Sequence, residues 1–369
     1  MIFPEGGEKM KTYAPDFYKD FHCLADKCPD SCCRQGWQIP VDDAHAEYYR
    51  TLPGALGEKV RADLIEADGE LCLKQEGGVC ALLEENGLCP LVREYGEDAL
   101  CRICHTHPRF YEQYGGTEEV HLSLSCPEAA RLALCRTAPI CYEVRADDRP
   151  VETMNTINPD EYFFLLRVRK FSLALAQHRA LPFSDRLTLL LLLAQKAQRL
   201  MEEEKYELCK PLIRRFLSPG YRRKKLLFTR RLRKAGTSFL PEVTLLRSME
   251  QLTGQLPPLL KQALFCVKQS REFDEANEAL LENLLVQYLA HYIPKAVNDG
   301  RVDTKIYLSA LLTLTVRRLC ICTGAYEKAA DYAGILAKDL EHSAENMEKL
   351  YAALQVPGWG EHLIAEIGI

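Results

Sequence analysis

Residues 158–179 read NPDEYFFLLRVRKFSLALAQHR, and this stretch decides the class of the fold. Asn158 is a helix-capping residue, Pro159 suits a first helical turn, and Asp160 and Glu161 set negative charge at the positive end of the helix axis. The pattern predicts a long helix running to Arg179. Ser184-Asp185 opens a second, reaching Tyr206. Further on, apolar residues recur at three- and four-residue steps, as in Leu280, Leu281, Leu284, Leu285, Tyr288 and Leu289. Helices are predicted at 243–253, 257–269, 273–292, 303–323, 325–340 and 344–354. No repeat of fixed period accompanies them. The segment 151–369 therefore reads as an α-helical, bundle-like domain.

Upstream the character differs. Of 16 Cys in the chain, twelve lie in the first 141 residues, among turn signals such as Cys28-Pro29-Asp30, Glu85-Asn86-Gly87 and Tyr114-Gly115-Gly116. Short helices are predicted at 42–50, 54–67, 90–100 and 127–134, and short strands near 35–40, 70–74 and 119–124. A segment so poor in periodic apolar residues needs cross-linking, which a metal centre supplies. The fold class expected is mainly α: an irregular Cys-rich metal-binding module over 11–150, followed by the bundle-like helical domain over 151–369.

The bulk numbers narrow the function. The chain has 369 residues, 47% hydrophobic and 27% charged, with a net charge of −5. That excludes wholesale disorder, and it excludes nucleic-acid or acidic-membrane binding by bulk attraction. Residues 1–22 show no apolar stretch of a secretory signal. The longest apolar run, Leu187 to Ala194, is far short of a membrane span. A cytoplasmic protein is expected, where thiols stay reduced and clustered Cys read as metal ligands or reactive thiols before disulfides. One stretch, Leu208 to Leu240, holds eleven basic residues and no acid. It reads as a solvated basic helix–loop–helix, or as a docking face for an acidic partner or an anionic cofactor. It carries no nucleic-acid reader motif, and nothing in the sequence indicates an oligomeric state.

The front cysteines fall into groups: Cys23-x4-Cys28-x3-Cys32-Cys33, then Cys80-x8-Cys89-x11-Cys101-x2-Cys104, then Cys126 alone. Soft thiolates a few residues apart suit zinc or an iron–sulfur cluster. A plain zinc ribbon has two Cys-x2-Cys knuckles, and only Cys101-x2-Cys104 has that form. The irregular spacing and the surplus thiols point to iron–sulfur, a 4Fe–4S cluster, with zinc as the alternative. The neighbours Cys32 and Cys33 diverge, so one serves a cluster while the other packs or reacts. A radical S-adenosylmethionine motif is not supported, because a third Cys would be needed at Gln35. Arg109 suits two roles, as a bidentate donor to a carboxylate of a cofactor or as a counter-charge to thiolates.

These residues resemble a known family, the flagellin lysine-N-methylases. The resemblance is carried by Phe21-His22-Cys23-x4-Cys28-Pro29-Asp30-Ser31-Cys32-Cys33 with Gly36-Trp37-x-Ile39. It continues through Cys80-x-Leu82-Leu83, Gly87-Leu88-Cys89, Cys104-x2-His107-Pro108-Arg109-Phe110 and Leu122-Ser123-Leu124-Ser125-Cys126-Pro127-Glu128-Ala129-Ala130-Arg131. It covers residues 13–135 in detail. It implies methyl transfer from S-adenosylmethionine to lysine ε-amines of flagellin, with an iron–sulfur centre needed for activity. A subset of Cys23, Cys28, Cys32, Cys33, Cys80, Cys89, Cys104 and Cys126 is expected to supply the ligands, with Cys101 as the alternate to Cys104, for one cluster with spare cysteines or for two metal sites.

A lysine must lose a proton before it attacks a sulfonium methyl. The enzyme must supply desolvation or a proton acceptor, and hold the two reactants in line. Candidate acceptors near the Cys loops are Tyr111, Tyr114, Glu112 and Glu128, while Tyr13, Tyr48 and Tyr49 could line a lysine channel. No Gly-rich turn of the doubly wound methyltransferases is present, since Glu76-Gly77-Gly78-Val79 and Tyr114-Gly115-Gly116-Thr117 read as hairpin turns. The competing expectation is a non-catalytic, metal-stapled protein-binding or redox-sensing module.

Overall fold

The Asn158 side-chain oxygen accepts the Asp160 N–H at 3.0 Å, Pro159 fills the first turn, and the helix runs to Ala176. This is the start read from the sequence, seen here in a computed structural model that describes residues 9–67, 69–151, 157–235, 238–265 and 275–368. Sixteen α-helices and nine short strands are present among the described residues, so the fold is mainly α.

The helix Val302–Thr323 forms the axis of the bundle. Eighteen of its 22 residues are buried, and they lie on every side of it. A helix buried all round needs its polar residues satisfied internally. Here Ser309, Thr313 and Thr315 donate to the carbonyls four residues back at 2.7–2.8 Å. Among the described residues it is the one helix long and apolar enough to cross a membrane, and most of it is enclosed by the protein. The helices Phe183–Glu202, Glu275–Tyr292, Ala329–Glu341, Ala344–Leu354 and Trp359–Glu366 surround it.

Several predicted elements are shorter or different. The helix predicted at 54–67 stops at Ala62, and Leu64–Ala67 instead pairs antiparallel with Glu70–Leu73. Strand pairing there overrides local helical propensity. The helix predicted at 90–100 ends at Tyr95, because Gly96 takes φ 85°. The helix expected at 243–253 sits earlier, at Leu240–Arg247. Leu256–Leu264 occupies the start of the stretch predicted at 257–269, whose residues 266–269 lie outside the described residues, as do 273–274 of the next predicted helix. The basic run forms two helices, Cys209–Leu217 and Pro219–Ala235.

A four-stranded sheet went unread apart from one member. Its order is Arg109–Tyr114, Thr117–Leu122, Lys9–Pro15, Tyr142–Pro150. The first two form the hairpin expected at Gly115-Gly116, Thr117–Leu122 runs parallel to Lys9–Pro15, and the last pair is antiparallel. Buried apolar side chains gather in two clusters. The larger joins Phe17, Phe21, Leu122, Leu124 and the Pro127–Leu134 helix to the bundle. The smaller unites Ile39, Val41, Tyr49, Val60, Leu82 and Leu91 with thiols of the Cys loops.

Charge is also buried. The Arg186 guanidinium and the Glu282 carboxylate are each 1% exposed and hydrogen-bonded to one another, tying Phe183–Glu202 to Glu275–Tyr292. Arg186 also donates to the Ala176 carbonyl at 2.6 Å, and Arg179 reaches Glu282 at 2.9 Å. Removing one member of such a pair leaves the other charge stranded. Arg186→Met should therefore cost about 3 kcal/mol in urea unfolding, the low end for a buried pair because Arg179 remains. The double variant R186M/E282L should recover part of that loss, and strictly additive losses would show that the two side chains do not interact.

Candidate functional site

The nine candidate thiols are not joined in disulfides, and the structure draws them into two sets. Cys33, Cys80, Cys89, Cys101 and Cys104 pack together in the smaller apolar cluster. Cys23, Cys28, Cys32 and Cys126 lie within electrostatic reach of one another. The vicinal pair joins the two sets: the Cys32 and Cys33 thiols are hydrogen-bonded to each other, and Cys104 lies within electrostatic reach of both. The sulfurs are aimed by backbone: the N–H groups of Leu91 and Val92 face Cys89, those of Glu128 and Ala129 face Cys126, and that of Cys104 faces Cys101. Each of these cysteines immediately precedes a short helix, where free N–H groups favour negative charge. Asp42 braces the Cys101 loop by accepting the Arg102 N–H at 2.8 Å. Among the described residues no group of three or more His, Cys, Asp or Glu is gathered closely enough to hold a metal ion as it stands. The sets offer soft sulfur donors with N–H support, which is the chemistry of an iron–sulfur or zinc site.

A cavity of about 300 Å³ opens beside the thiols. Cys32, Cys33, Cys104, Trp37, Ile39 and Ile103 form one side, and His107, Arg109, Phe110, Ser123 and His342 the other. Trp37 packs against His107 and His342 with ring centres 5.3 and 4.4 Å apart. Burial pushes the His107 imidazole down to about 3 and that of His342 to about 4, so both rings are neutral at pH 7. His342 Nε2 is hydrogen-bonded to Ser125 Oγ at 2.9 Å. Arg109 donates from Nε to the Tyr18 hydroxyl at 3.2 Å and stacks over Phe21. The cavity is therefore walled by thiols and uncharged aromatic rings, with one guanidinium at its edge.

The helix Ala329–Glu341 closes the cavity by lying tight on the Ser123–Cys126 segment. A Cβ at Gly334 would stand 3.1 Å from the Leu124 carbonyl, so glycine permits the approach. Lys338 fastens the same helix to Asp30, in the loop between Cys28 and Cys32. Behind Ser123 runs a buried polar seam. Ser123 Oγ lies 3.4 Å from Glu341, which also accepts from the Tyr292 hydroxyl at 2.7 Å. His291 stacks on Phe110 at 5.4 Å and meets His121 edge-to-face at 4.8 Å. His121 stands 3.5 Å from Glu119, which is paired with Arg169. Burial opposes the charge on Glu119, but His121 and Arg169 together outweigh it and hold its carboxyl low.

Residues singled out by sequence are dispersed around this site. Tyr111 is 47% exposed and faces Tyr18. Tyr114 is buried and stacked on Tyr162 at 5.4 Å. Glu128 is gripped by Arg131 through two bonds of 2.6 and 2.8 Å, and Glu112 pairs with Lys295 at 2.8 Å. Tyr13 stacks on Tyr142, Tyr48 is exposed, and Tyr49 donates to the Ala99 carbonyl beside the thiols. Glu341, His342, His291, His121, Glu119 and Arg169 were not read from sequence. Their one signal is a polar residue set among buried apolar neighbours, as in Tyr288-Leu289-Ala290-His291-Tyr292.

The geometry predicts a specific cross-link. In metal-free protein under mild oxidation, Cys101 and Cys104, whose thiols are already hydrogen-bonded, should close first. Peptide mass spectrometry would show it, and prior joining of Cys80 to Cys89 would contradict the arrangement.

The chain matches the family described as FliB lysine N-methylase C-terminal domain over residues 169–362, more than half of its length. That span begins at Arg169 and carries His342 of the cavity wall, while the thiol loops precede it. No curated protein and no solved structure matches the chain. A lysine N-methylase span built onto a cavity with thiol walls agrees with the resemblance read in the Cys loops, and the chain belongs to the flagellin lysine N-methylase family, FliB.

Proposed function

We propose that this protein methylates lysine ε-amines of flagellin with S-adenosylmethionine in the cytoplasm, using an iron–sulfur centre held by its N-terminal thiols. The observation that carries this reading is the cavity where uncharged aromatic side chains, thiols and the helices of the FliB span meet. Such a lining suits methyl transfer to an amine. It strips water from the ammonium, which favours the neutral nucleophile, and it places a cation against ring faces.

In this reading Cys23, Cys28, Cys32 and Cys126 form one candidate ligand set, and Cys33, Cys80, Cys89 and Cys104, with Cys101 adjacent, form the other. A centre bound there staples the 11–150 loops and sets iron at the cavity wall. Arg109 offers a carboxylate-binding guanidinium at the cavity edge, for the amino-acid end of the methyl donor.

Anaerobically purified protein should carry iron and sulfide in equal amounts, about four of each per cubane cluster, and transfer label from S-adenosylmethionine to flagellin. Cys126→Ser should remove metal from its own set. Stoichiometric zinc with no visible colour would instead favour a structural, non-catalytic module.

The basic helix Pro219–Ala235 is the proposed docking face for the protein substrate. It presents Arg222, Arg223, Lys224 and Lys225 beside the exposed apolar side chains of Leu227 and Phe228, the latter 76% exposed. Reversing the four charges to Glu should weaken flagellin binding, and the wild-type affinity should fall as salt rises. Affinity unchanged across a salt series would leave a merely solvated face.

A further inference from the structure

Among the described residues, the polar seam holds one carboxylate with no ion-pair partner in contact, the Lys295 charge acting on it only from a distance. Of the acids around the cavity, Glu128 is paired with Arg131, Glu112 with Lys295, Glu119 with Arg169 and Asp30 with Lys338. Glu341 instead accepts from two neutral hydroxyls, Tyr292 at 2.7 Å and Ser123 at 3.4 Å. It is deeply set, yet it keeps accessible surface while those two partners are 1% and 2% exposed. Ser123 and the adjoining His342 both line the cavity, and Glu341 stands directly behind them, 3.4 Å from the Ser123 hydroxyl.

We propose that Glu341 is a catalytic residue, the carboxylate that receives the substrate's primary ammonium at the inner end of the cavity and takes up its proton. This rests on the methylation reading above. Three features support it. A buried anion with no cation in contact is unfavourable, and an incoming ammonium supplies that contact. The cavity in front of it is lined by Trp37, Phe110 and two neutral imidazoles, surfaces that attract a cation without competing for the carboxylate. Burial raises the carboxyl above its ordinary range, against the Tyr292 bond and the Lys295 charge, which narrows the gap to lysine. In the step, the N–H proton passes to a Glu341 oxygen. The freed nitrogen lone pair forms the N–C bond as the S–C bond of a sulfonium donor breaks, its electrons remaining on sulfur.

The groups facing Glu341 are Tyr288 and Tyr292, Lys295, Tyr351 and His342. Burial raises the three tyrosines and holds His342 down at about 4, so these four keep their charge from about pH 7 to pH 9.5.

The test has two readouts. The first is binding of n-butylammonium, followed by Trp37 fluorescence in a W359F background, so that Trp37 is the remaining tryptophan. Glu341→Gln should abolish this binding, and Glu341→Asp, which keeps the charge, should retain part of it. Equal binding by wild type and E341Q would overturn the proposal. The second is flagellin methylation. E341Q should lose about 100-fold or more in kcat with little change in KM for flagellin. It should regain rate about tenfold per pH unit as solution deprotonates the lysine. A variant as active as wild type, or one whose loss is the same at every pH, would overturn the proposal. Ammonium binding that depends on Glu341, in a protein that does not methylate flagellin, would uphold this site and refute the flagellin reading. If E341Q loses its folded circular dichroism, E341D carries both measurements.

Discussion

The close seating of the helix Ala329–Glu341 on the Ser123–Cys126 segment organises the rest of the site. Gly334 lets the helix reach the Leu124 carbonyl, and Lys338 clamps it to Asp30. That single contact surface does three things. It sets Cys126 opposite the Cys23–Cys32 loop, it closes the cavity with His342, and it delivers Glu341 to Ser123. A side chain at position 334 would crowd the Leu124 carbonyl and require the helix or the segment to give by a few tenths of an ångström. The thiol loops and the bundle are consequently one mechanical unit at this point.

The seam is costly, and its cost is informative. Imidazoles held neutral, a carboxylate with no cation in contact and polar atoms such as His121 Nδ1, His291 Nδ1 and Tyr288 OH, buried with no hydrogen-bond partner among the described residues, all oppose folding. The bundle absorbs this through a continuous apolar core around Val302–Thr323 and through buried pairs such as Arg186–Glu282. Strain of this kind concentrated beside a cavity is the usual mark of a site built for ligand rather than for stability.

Much of the frame was legible in the residues. The Asn158-Pro159 cap, the 3.6-residue periodicity and the Gly-Gly hairpins specify local structure through short-range sterics and burial, so they survive into the fold. The strands Lys9–Pro15 and Tyr142–Pro150 escaped notice because each is short and gains its structure from a partner over a hundred residues away. The helix expected across Leu64 failed for the same reason, when pairing with Glu70–Leu73 outweighed propensity.

The site divides along the same line. Spacing and residue type marked the thiols and Arg109, because soft donors at short intervals are a local property of the chain, and the family was read from the resemblance of the residues that flank them. What the tertiary structure decided was partnership. It brought the Cys loops together around the Cys32-Cys33 pair, committed Glu128 to Arg131 and Glu112 to Lys295, and set Glu341 against the hydroxyls of Tyr292 and Ser123. A carboxylate's role depends on which charges stand within a few ångströms of it, and for residues 218 positions apart, as Ser123 and Glu341 are, only the folded chain sets that distance.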